Sequence, residues 1–415
     1  METASNTVDT VAVIGAGVIG AAVACALARE GRQVLLLDPS EPGAGGASFG
    51  NVGHIGAELV EPLPSTALLL GFWRLLYAVG GPLDIPLRRL PAFLPFAARF
   101  ARAAFRQQAH TRHLAPLVRS AAATLEATLR EIGRPELLRR NGHYEVWLDG
   151  RAADKVAAHT RAMQRLEVPT RAAPADLLES IRHQAGAQAA AGLWFPDCAH
   201  VVDPLEIVRA LVAHALQRGA QWQRTRVLAL AARQQGIEIV TAERTLSVAH
   251  AVVCAGPWSR ELLRPFGLRA PLEAARGYHV ELPAHAPMVD APILYTDHYL
   301  VVTPMTGRLR ASSDMEFAGL DAPPDPRKPA RLRQRLRRLG YACPAEGASW
   351  LGARPVLPDY LPGIGRAPGA NLYYAIGHQH IGLTLAAVTG GLIADLLAGR
   401  TPRHDISAFD LRRFG

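Results

Sequence analysis

Val11-Ala12-Val13-Ile14-Gly15-Ala16-Gly17-Val18-Ile19-Gly20 opens a pattern that closes at Asp38, and its reading decides the fold. Residues 11–14 are a short β-branched run, 21–29 are alanine-rich and helix-forming, and 33–37 are a second apolar run ended by Asp38. Strand, tight turn, helix and strand in that order are the opening of a βαβ unit. Each glycine has its own task. Gly15 permits the sharp bend, Gly17 lets a pyrophosphate approach the backbone, and Gly20 brings helix and strand close. Val18 and Ile19 lie at the helix N-terminus, whose free N–H groups face the phosphates. Asp38 is placed to hold ribose hydroxyls, and an acid there disfavours a 2′-phosphate. A glycine-rich turn without a ligand would leave the place of Asp38 unexplained. The pattern predicts a dinucleotide site.

Outward from it, residues 43–56 form a glycine-rich loop with Gly46, Ser48, Asn51, Gly53 and His54. Such a loop offers N–H groups, a hydroxyl and an amide to a phosphate or a ring system. Residues 65–140 read as mostly helical, broken at Gly80-Gly81-Pro82 and at Pro91. Residues 142–148 alternate as a strand, while 155–166 and 174–184 read as helices with one polar side. Asp203-Pro204 caps a helix over 205–217. Strands are expected at 226–230, 237–240, 251–254, 278–282, 299–303 and 372–375, a basic helix at 330–339, and a long apolar helix at 384–397. Rossmann-like signals at both ends and in the middle imply an α/β protein with a discontinuous cofactor domain, residues 1–64, 198–272 and 346–415. A second domain, 65–197 and 273–345, is inserted into it, α+β in class and built on a mixed or antiparallel sheet.

The 415 residues suit two to three domains, and 49% hydrophobic content is ample for a core. No apolar run reaches the ~20 residues of a spanning helix. The short polar start, residues 1–10, has no basic leader, so the expected compartment is the cytoplasm. Cys25, Cys198, Cys254 and Cys343 are scattered, which argues against a zinc site or a disulfide framework. The net charge of +9 is carried almost wholly by arginine, Lys155 and Lys328 being the only lysines. No nucleic-acid motif accompanies it, and the arginines read mainly as solvated surface.

Three further glycine turns bear on the cofactor. Ala251-Val252-Val253-Cys254-Ala255-Gly256-Pro257-Trp258-Ser259 is a buried strand ending in a turn. Trp350-Leu351-Gly352-Ala353-Arg354-Pro355 and Gly377-His378-Gln379-His380-Ile381-Gly382-Leu383-Thr384 are the others, the last leading into the apolar helix. A helix N-terminus there would stabilise negative charge on a reduced ring. With these segments assembled, the chain resembles the D-amino-acid oxidase-like family of FAD-dependent oxidoreductases over nearly its full length, and among them the bacterial D-amino-acid and D-hydroxyproline dehydrogenases. The resemblance implies FAD as cofactor. It sets Val227 beside the adenine, and Gly352, Gly382, Leu383 and Thr384 beside the isoalloxazine. Ala255, Gly256, Trp258 and His378 join them as cofactor contacts. The turn at 377–381 is bulkier and more polar than the small residues often found there.

The implied chemistry is dehydrogenation of the Cα–N bond of a small amino or imino acid, which needs chiefly orientation and electrostatics. A substrate carboxylate is best held by arginine, and Arg354 is the candidate, since the family motif sets it over the flavin. Tyr278 and Tyr299, on expected strands, could offer hydroxyls. His54, His378 and His380 could bond flavin or substrate, and without a third ligand the last two make no metal site. The polar turn points to a proline-like substrate, cis-4-hydroxy-D-proline ahead of D-proline, with glycine or sarcosine as the competing choice. The acceptor, a quinone or O2, stays open. A second reading comes from residues 68–106, where Phe72, Trp73 and Phe93 alternate with Arg88, Arg99 and Arg102. Such a basic amphipathic stretch suits a membrane surface or a partner subunit, the chain then being the flavin-bearing part of an electron-transfer complex.

Overall fold

The computed structural model describes residues 7–283 and 290–415; Met1–Asn6 of the polar start and residues 284–289 of the inserted domain lie outside the described residues. An eight-stranded sheet carries the dinucleotide pattern. Its parallel centre runs Gln221–Arg224, Gln33–Asp38, Thr7–Ile14, Thr245–Val253 and Leu372–Ile376. Val227–Arg233 and Gly236–Thr241 add an antiparallel hairpin to the first half of Thr245–Val253, and Gly363–Arg366 pairs antiparallel with Leu372–Ile376.

Alternation sends Val11, Val13, Val34 and Leu36 to one face and Ala12, Ile14 and Leu37 to the other, and both faces are buried. This is why the strands read as continuous apolar runs. The first face is covered by the helices Val18–Arg29, Pro204–Gln217 and Gly382–Leu397, with the long helix Gln107–Glu131 behind. The first and last helices touch through backbone: a Cβ at Gly390 would sit 2.6 Å from the Ala22 carbonyl oxygen. Asp203 caps its helix as expected, accepting from Leu205 N at 2.9 Å.

The second sheet has nine strands, mostly antiparallel, in the order Ser349–Val356, Glu273–Pro283, Arg308–Glu316, Leu300–Met305, Ile293–Tyr295, His143–Trp147, Ala191–Phe195 and Arg171–Ala172. Leu83–Asp84 pairs parallel to Arg308–Glu316. The strand Ser349–Val356 falls in the segment expected to belong with the cofactor sheet, yet it forms the edge of this one, Arg354 opposite Ala275. A third, small sheet joins His54–Ile55, Ala199–Val201 and Leu138–Arg139.

Three expectations are corrected. Pro91 does not break a helix; it is the second residue of Leu90–Ala104, where a proline lacks nothing by having no N–H. Tyr299 is not on a strand: it caps the short turn Thr296–His298 with φ of 50°, and the strand begins at Leu300. The basic side chains are not all solvated. Arg276, Arg310 and Lys328 are fully buried, and each has a carboxylate: Arg276 with Glu316 at 2.9 Å, Arg310 with Glu281 at 2.6 Å, Lys328 with Asp84 at 2.5 Å.

Candidate active site

The glycine turn is held by backbone on both sides. Gly15 N donates to Leu37 O and Cys254 N to Ile14 O, each at 2.8 Å. Gly15 has φ of +105°, and a Cβ on Gly20 would lie 1.7 Å from the Gly15 carbonyl oxygen, so neither position admits a side chain. Asp38 accepts from Ala16 N at 2.7 Å and from Ser40 N at 2.8 Å, which fixes its carboxylate against the turn. The helix Val18–Arg29 has no side-chain cap of its own at Gly17. Ser48 Oγ comes across from the loop instead and accepts from Val18 N at 2.9 Å. The loop is thereby fastened to the point where the helix dipole is most positive.

From the other side the loop is clasped by the second sheet. The Arg310 guanidinium donates to Phe49 O at 3.1 Å and to Asn51 O at 2.7 Å, and His279 Nδ1 is 3.0 Å from Gly50 O. A Cβ on Gly50 would fall 2.0 Å from the Trp350 ring. Gly53 N donates to Asn51 Oδ1 at 2.8 Å, turning the chain toward His54.

Between the two sheets lies a cleft of ≈ 950 Å³. It brings together most of the expected residues: Gly15, Gly17, Val18, Ile19 and Asp38 at one end, with Val227, Ala255, Gly256 and Trp258. Gly46, Ser48, Asn51 and His54 line its loop side, and Gly352, Arg354, His378, Gly382, Leu383 and Tyr299 its far part. Three residues stand apart. Gly53 and Thr384 lie behind the wall; Thr384 Oγ1 is 3.4 Å from Gly56 N and 3.5 Å from His54 O, pinning the last helix to the loop. Tyr278 is the clear correction. Strand alternation turns Gly277 to the cleft and Tyr278 away, and its hydroxyl is taken by Asp325 N at 2.9 Å and Glu316 at 3.2 Å.

Of the arginines at the cleft, Arg226 and Arg260 are exposed, while Arg354 is partly buried in the wall. It reaches over Gly277, where a Cβ would meet its Nη2 at 1.6 Å. Its hydrogen bond to protein is a long one, 3.4 Å to the Asp314 carbonyl, and among the described residues it has no carboxylate partner. Burial lowers its pKa, opposed by Tyr360 and Asp314 nearby. Arg89, also at the cleft, is tied to Glu273 at 3.4 Å.

The turn of 377–381 divides its polar groups. His378 is buried and sits 3.1 Å from Thr389 Oγ1, and burial pushes its pKa down to about 3. Gln379 has φ of 52°, donates its amide to the Tyr360 carbonyl and its N–H to Pro355 O at 3.0 Å. His380 also lines the cleft, and enough protein and the nearby Arg354 surround it that its pKa falls to about 4.

Sequence reasoning passed over Arg310, His279 and Glu58. Arg310 is one arginine among many, and only its burial opposite the loop marks it. Glu58 lies four residues after His54, a spacing that could have been read as a pair; His54 Nε2 is 2.6 Å from Glu58 Oε1.

These residues fit FAD: a backbone cradle at a helix N-terminus, an acid for the ribose, and a cleft that runs on past it to a guanidinium with no carboxylate partner among the described residues. A cradle of this kind facing a mostly antiparallel sheet defines a flavin-dependent oxidoreductase. A family model described as DAO, FAD dependent oxidoreductase, matches residues 10–396, and the chain belongs to that family. A D-amino-acid oxidase of Bradyrhizobium diazoefficiens is 32% identical, covering 97% of this chain and 98% of that protein. A D-amino acid dehydrogenase of Paramagnetospirillum magneticum is 31% identical over the same shares, 97% and 98%. The glycine oxidase structure from Geobacillus kaustophilus superposes with a TM-score of 0.77 at 22% identity, covering 97% and 98% of the two chains.

The flavin should be held without a covalent bond. Cys254 is the cysteine that borders the cleft, and burial drives its thiol far above the ordinary range, so the thiolate does not form. Acid treatment is expected to release all FAD from a yellow protein; colour remaining on the washed polypeptide would refute this.

The buried imidazoles also set an acid limit. His143 and His378 fall to about 3 and His200 to about 4, through desolvation first. Below the usual 6.5 the unfolded chain takes up protons that the folded chain refuses, so stability falls as pH drops from there. A Tm that declines steadily from pH 6.5 to 4 is expected, and a flat profile would contradict it.

Proposed function

We propose that the chain dehydrogenates the Cα–N bond of a small D-amino or imino acid, with cis-4-hydroxy-D-proline preferred to D-proline and both to open-chain substrates. The observation that carries the reading is Arg354: a desolvated guanidinium with no carboxylate bonded to it among the described residues, lining the cleft beyond the dinucleotide cradle. A carboxylate from outside completes it through two parallel hydrogen bonds. The D configuration is taken from the relatives named D-amino-acid oxidase and dehydrogenase. His380, at the cleft without a protein hydrogen bond among the described residues, supplies one for a ring hydroxyl, while His378 and Gln379 are held by protein and narrow the space.

Bound in the cradle of Gly15, Gly17 and Asp38, FAD would supply the acceptor for the hydride of Cα. The chain's own residues do the rest: Arg354 fixes the carboxylate, the walls at Trp350 and Gly277 set the plane of approach, and closure by the second sheet keeps water away. For the division of labour we propose that residues 1–64, 198–272 and 346–415 hold the cofactor and 65–197 with 273–345 cover it, the strand Ser349–Val356 serving the cover.

Comparing kcat/KM for cis-4-hydroxy-D-proline, D-proline, L-proline, D-alanine, glycine and sarcosine tests the substrate. An open-chain amine leading tenfold, about 1.4 kcal/mol, would refute the imino-acid preference.

A second reading concerns the acceptor. Among the described residues, no helix is long and apolar enough to cross a membrane. Helix Thr66–Gly71 and the turns Phe72–Leu75 and Tyr77–Val79 nevertheless bury none of their residues. Leu70, Phe72, Trp73, Leu87, Leu94 and Phe105 are exposed. Arg74, Arg88, Arg99, Arg102 and Arg106 add cations without carboxylate partners among the described residues. This face supports a reading in which a cytoplasmic protein touches a membrane surface and passes electrons to quinone. Dye-linked turnover far above the rate of peroxide formation in air, and sedimentation with anionic vesicles, are its expected results.

A further inference from the structure

We propose that His54, Glu58, His143, Glu145 and His159 form a conduit that carries the proton released by an ammonium substrate from the cleft to solvent. The inference rests on the reading that the substrate is an amine. Hydride can leave Cα only when the nitrogen lone pair is free, so the ammonium must first lose one proton. The Cα–H pair then goes to the flavin as hydride and the amine becomes an iminium. One H⁺ per turnover is left in an enclosed space.

The five side chains make a continuous row. His54, Glu58 and His143 border the cleft. His54 Nε2 is 2.6 Å from Glu58, and the His54 and His143 rings are 4.4 Å apart. The polar atoms of Glu58, His143 and Glu145 all lie within 4.8 Å of one another. His143 and Glu145 are alternate residues of His143–Trp147 and so share a face. His159 Nε2, on the helix Ala152–Arg165, is 3.1 Å from Glu145. The His159 side chain is 30% exposed and that of Glu145 8%, so the row begins at the cleft and ends in water.

A core built for stability alone would not gather these groups, since each buried carboxylate or imidazole must be desolvated. Nothing in the dinucleotide cradle or the carboxylate grip uses them. His54 Nδ1 is buried without a hydrogen-bond partner among the described residues. A neutral imidazole takes a proton at one nitrogen and gives one up at the other, which suits alternation of imidazole and carboxylate. Burial alone would raise the Glu58 carboxyl, but His54, His143 and the Cys198 thiol, donating at 2.9 Å, hold it ionised. His200 faces His54 from the neighbouring strand, with Arg139 and Asp290 around it. Across the cleft, His380 and Arg354 complete the charged surroundings.

The test uses the FAD-loaded protein and its Glu145→Gln and His159→Ala variants, whose FAD content and Tm are checked first. Proton release is followed with an indicator dye in weak buffer beside flavin bleaching, using whichever amine reduces the flavin fastest. Both variants should release the proton about a hundredfold more slowly or worse, the low end for a positioned proton-transfer group, and added imidazole should restore His159→Ala. In substrate-free protein, the His159 NMR titration should lie above that of a free histidine and drop in Glu145→Gln, a result independent of the substrate. Wild-type proton release in both folded variants overturns the conduit. So does stoichiometric zinc in the purified protein, because His54, Glu58 and Cys198 could also ligate a metal. Failure of every amine to bleach the flavin, with the NMR result intact, would instead refute the substrate reading.

Discussion

Arg354→Ala is expected to keep its FAD and to lose about 2–4 kcal/mol in kcat/KM, roughly 30- to 1,000-fold, most of it through KM. The magnitude follows from the surroundings of the guanidinium. Among the described residues no carboxylate bonds to it, and its hydrogen bond to the Asp314 carbonyl is a long one, 3.4 Å. The bound carboxylate in the variant would be desolvated and unpaired. Arg354→Lys should recover only part, because an ammonium cannot make two parallel bonds. Steady-state kinetics with the best substrate settle it, and near-normal constants in Arg354→Ala would remove this residue from substrate binding.

Gly20→Ala is expected to be more damaging, at the level of the cofactor. The added Cβ would stand 1.7 Å from the Gly15 carbonyl oxygen, and backbone cannot step aside as a long side chain can. The turn must open by more than an ångström, which takes the Val18 and Ala16 N–H groups out of line together. A destabilisation above about 4 kcal/mol, or a colourless protein, is the expected outcome. Gly391→Ala is the matched control. It lies in the helix Gly382–Leu397 with nothing within 4 Å of its added Cβ, and should stabilise by about 0.5–1 kcal/mol. Equal FAD retention and Tm in the two variants would show that the turn tolerates what its geometry forbids.

The legible part of this molecule was the part where local pattern and tertiary role agree. Residues 11–38 are apolar on both faces and folded as read, because a parallel strand buried on both sides needs nothing but its own run. The strand Arg308–Glu316 escaped notice because its sequence, Arg-Leu-Arg-Ala-Ser-Ser-Asp-Met-Glu, is polar, while in the fold six of its nine residues are buried and paired across elements. Ser349–Val356 carries a glycine and a proline, which argue against a strand, yet it sits on an edge where both are tolerated. Lys328 and Arg335 look like one face of a solvated helix; Asp84 and Asp314, distant in sequence, draw them inside. Tyr278 was misplaced by one strand position, which is enough to move a side chain to the opposite side of a sheet. Arg354 was found through the resemblance, since nothing local separates it from the other arginines.

Ala22 and Gly390 touch backbone to backbone, and that contact orders events in time. A chain emerges from the ribosome N-terminus first. Residues 18–29, which carry the phosphate cradle at their leading end, are therefore made well before residues 382–397, which pack against their apolar side. The helix Pro204–Gln217 can pack on the first helix before that, but one side of the wall beside the cradle closes only when residues 382–397 are in place.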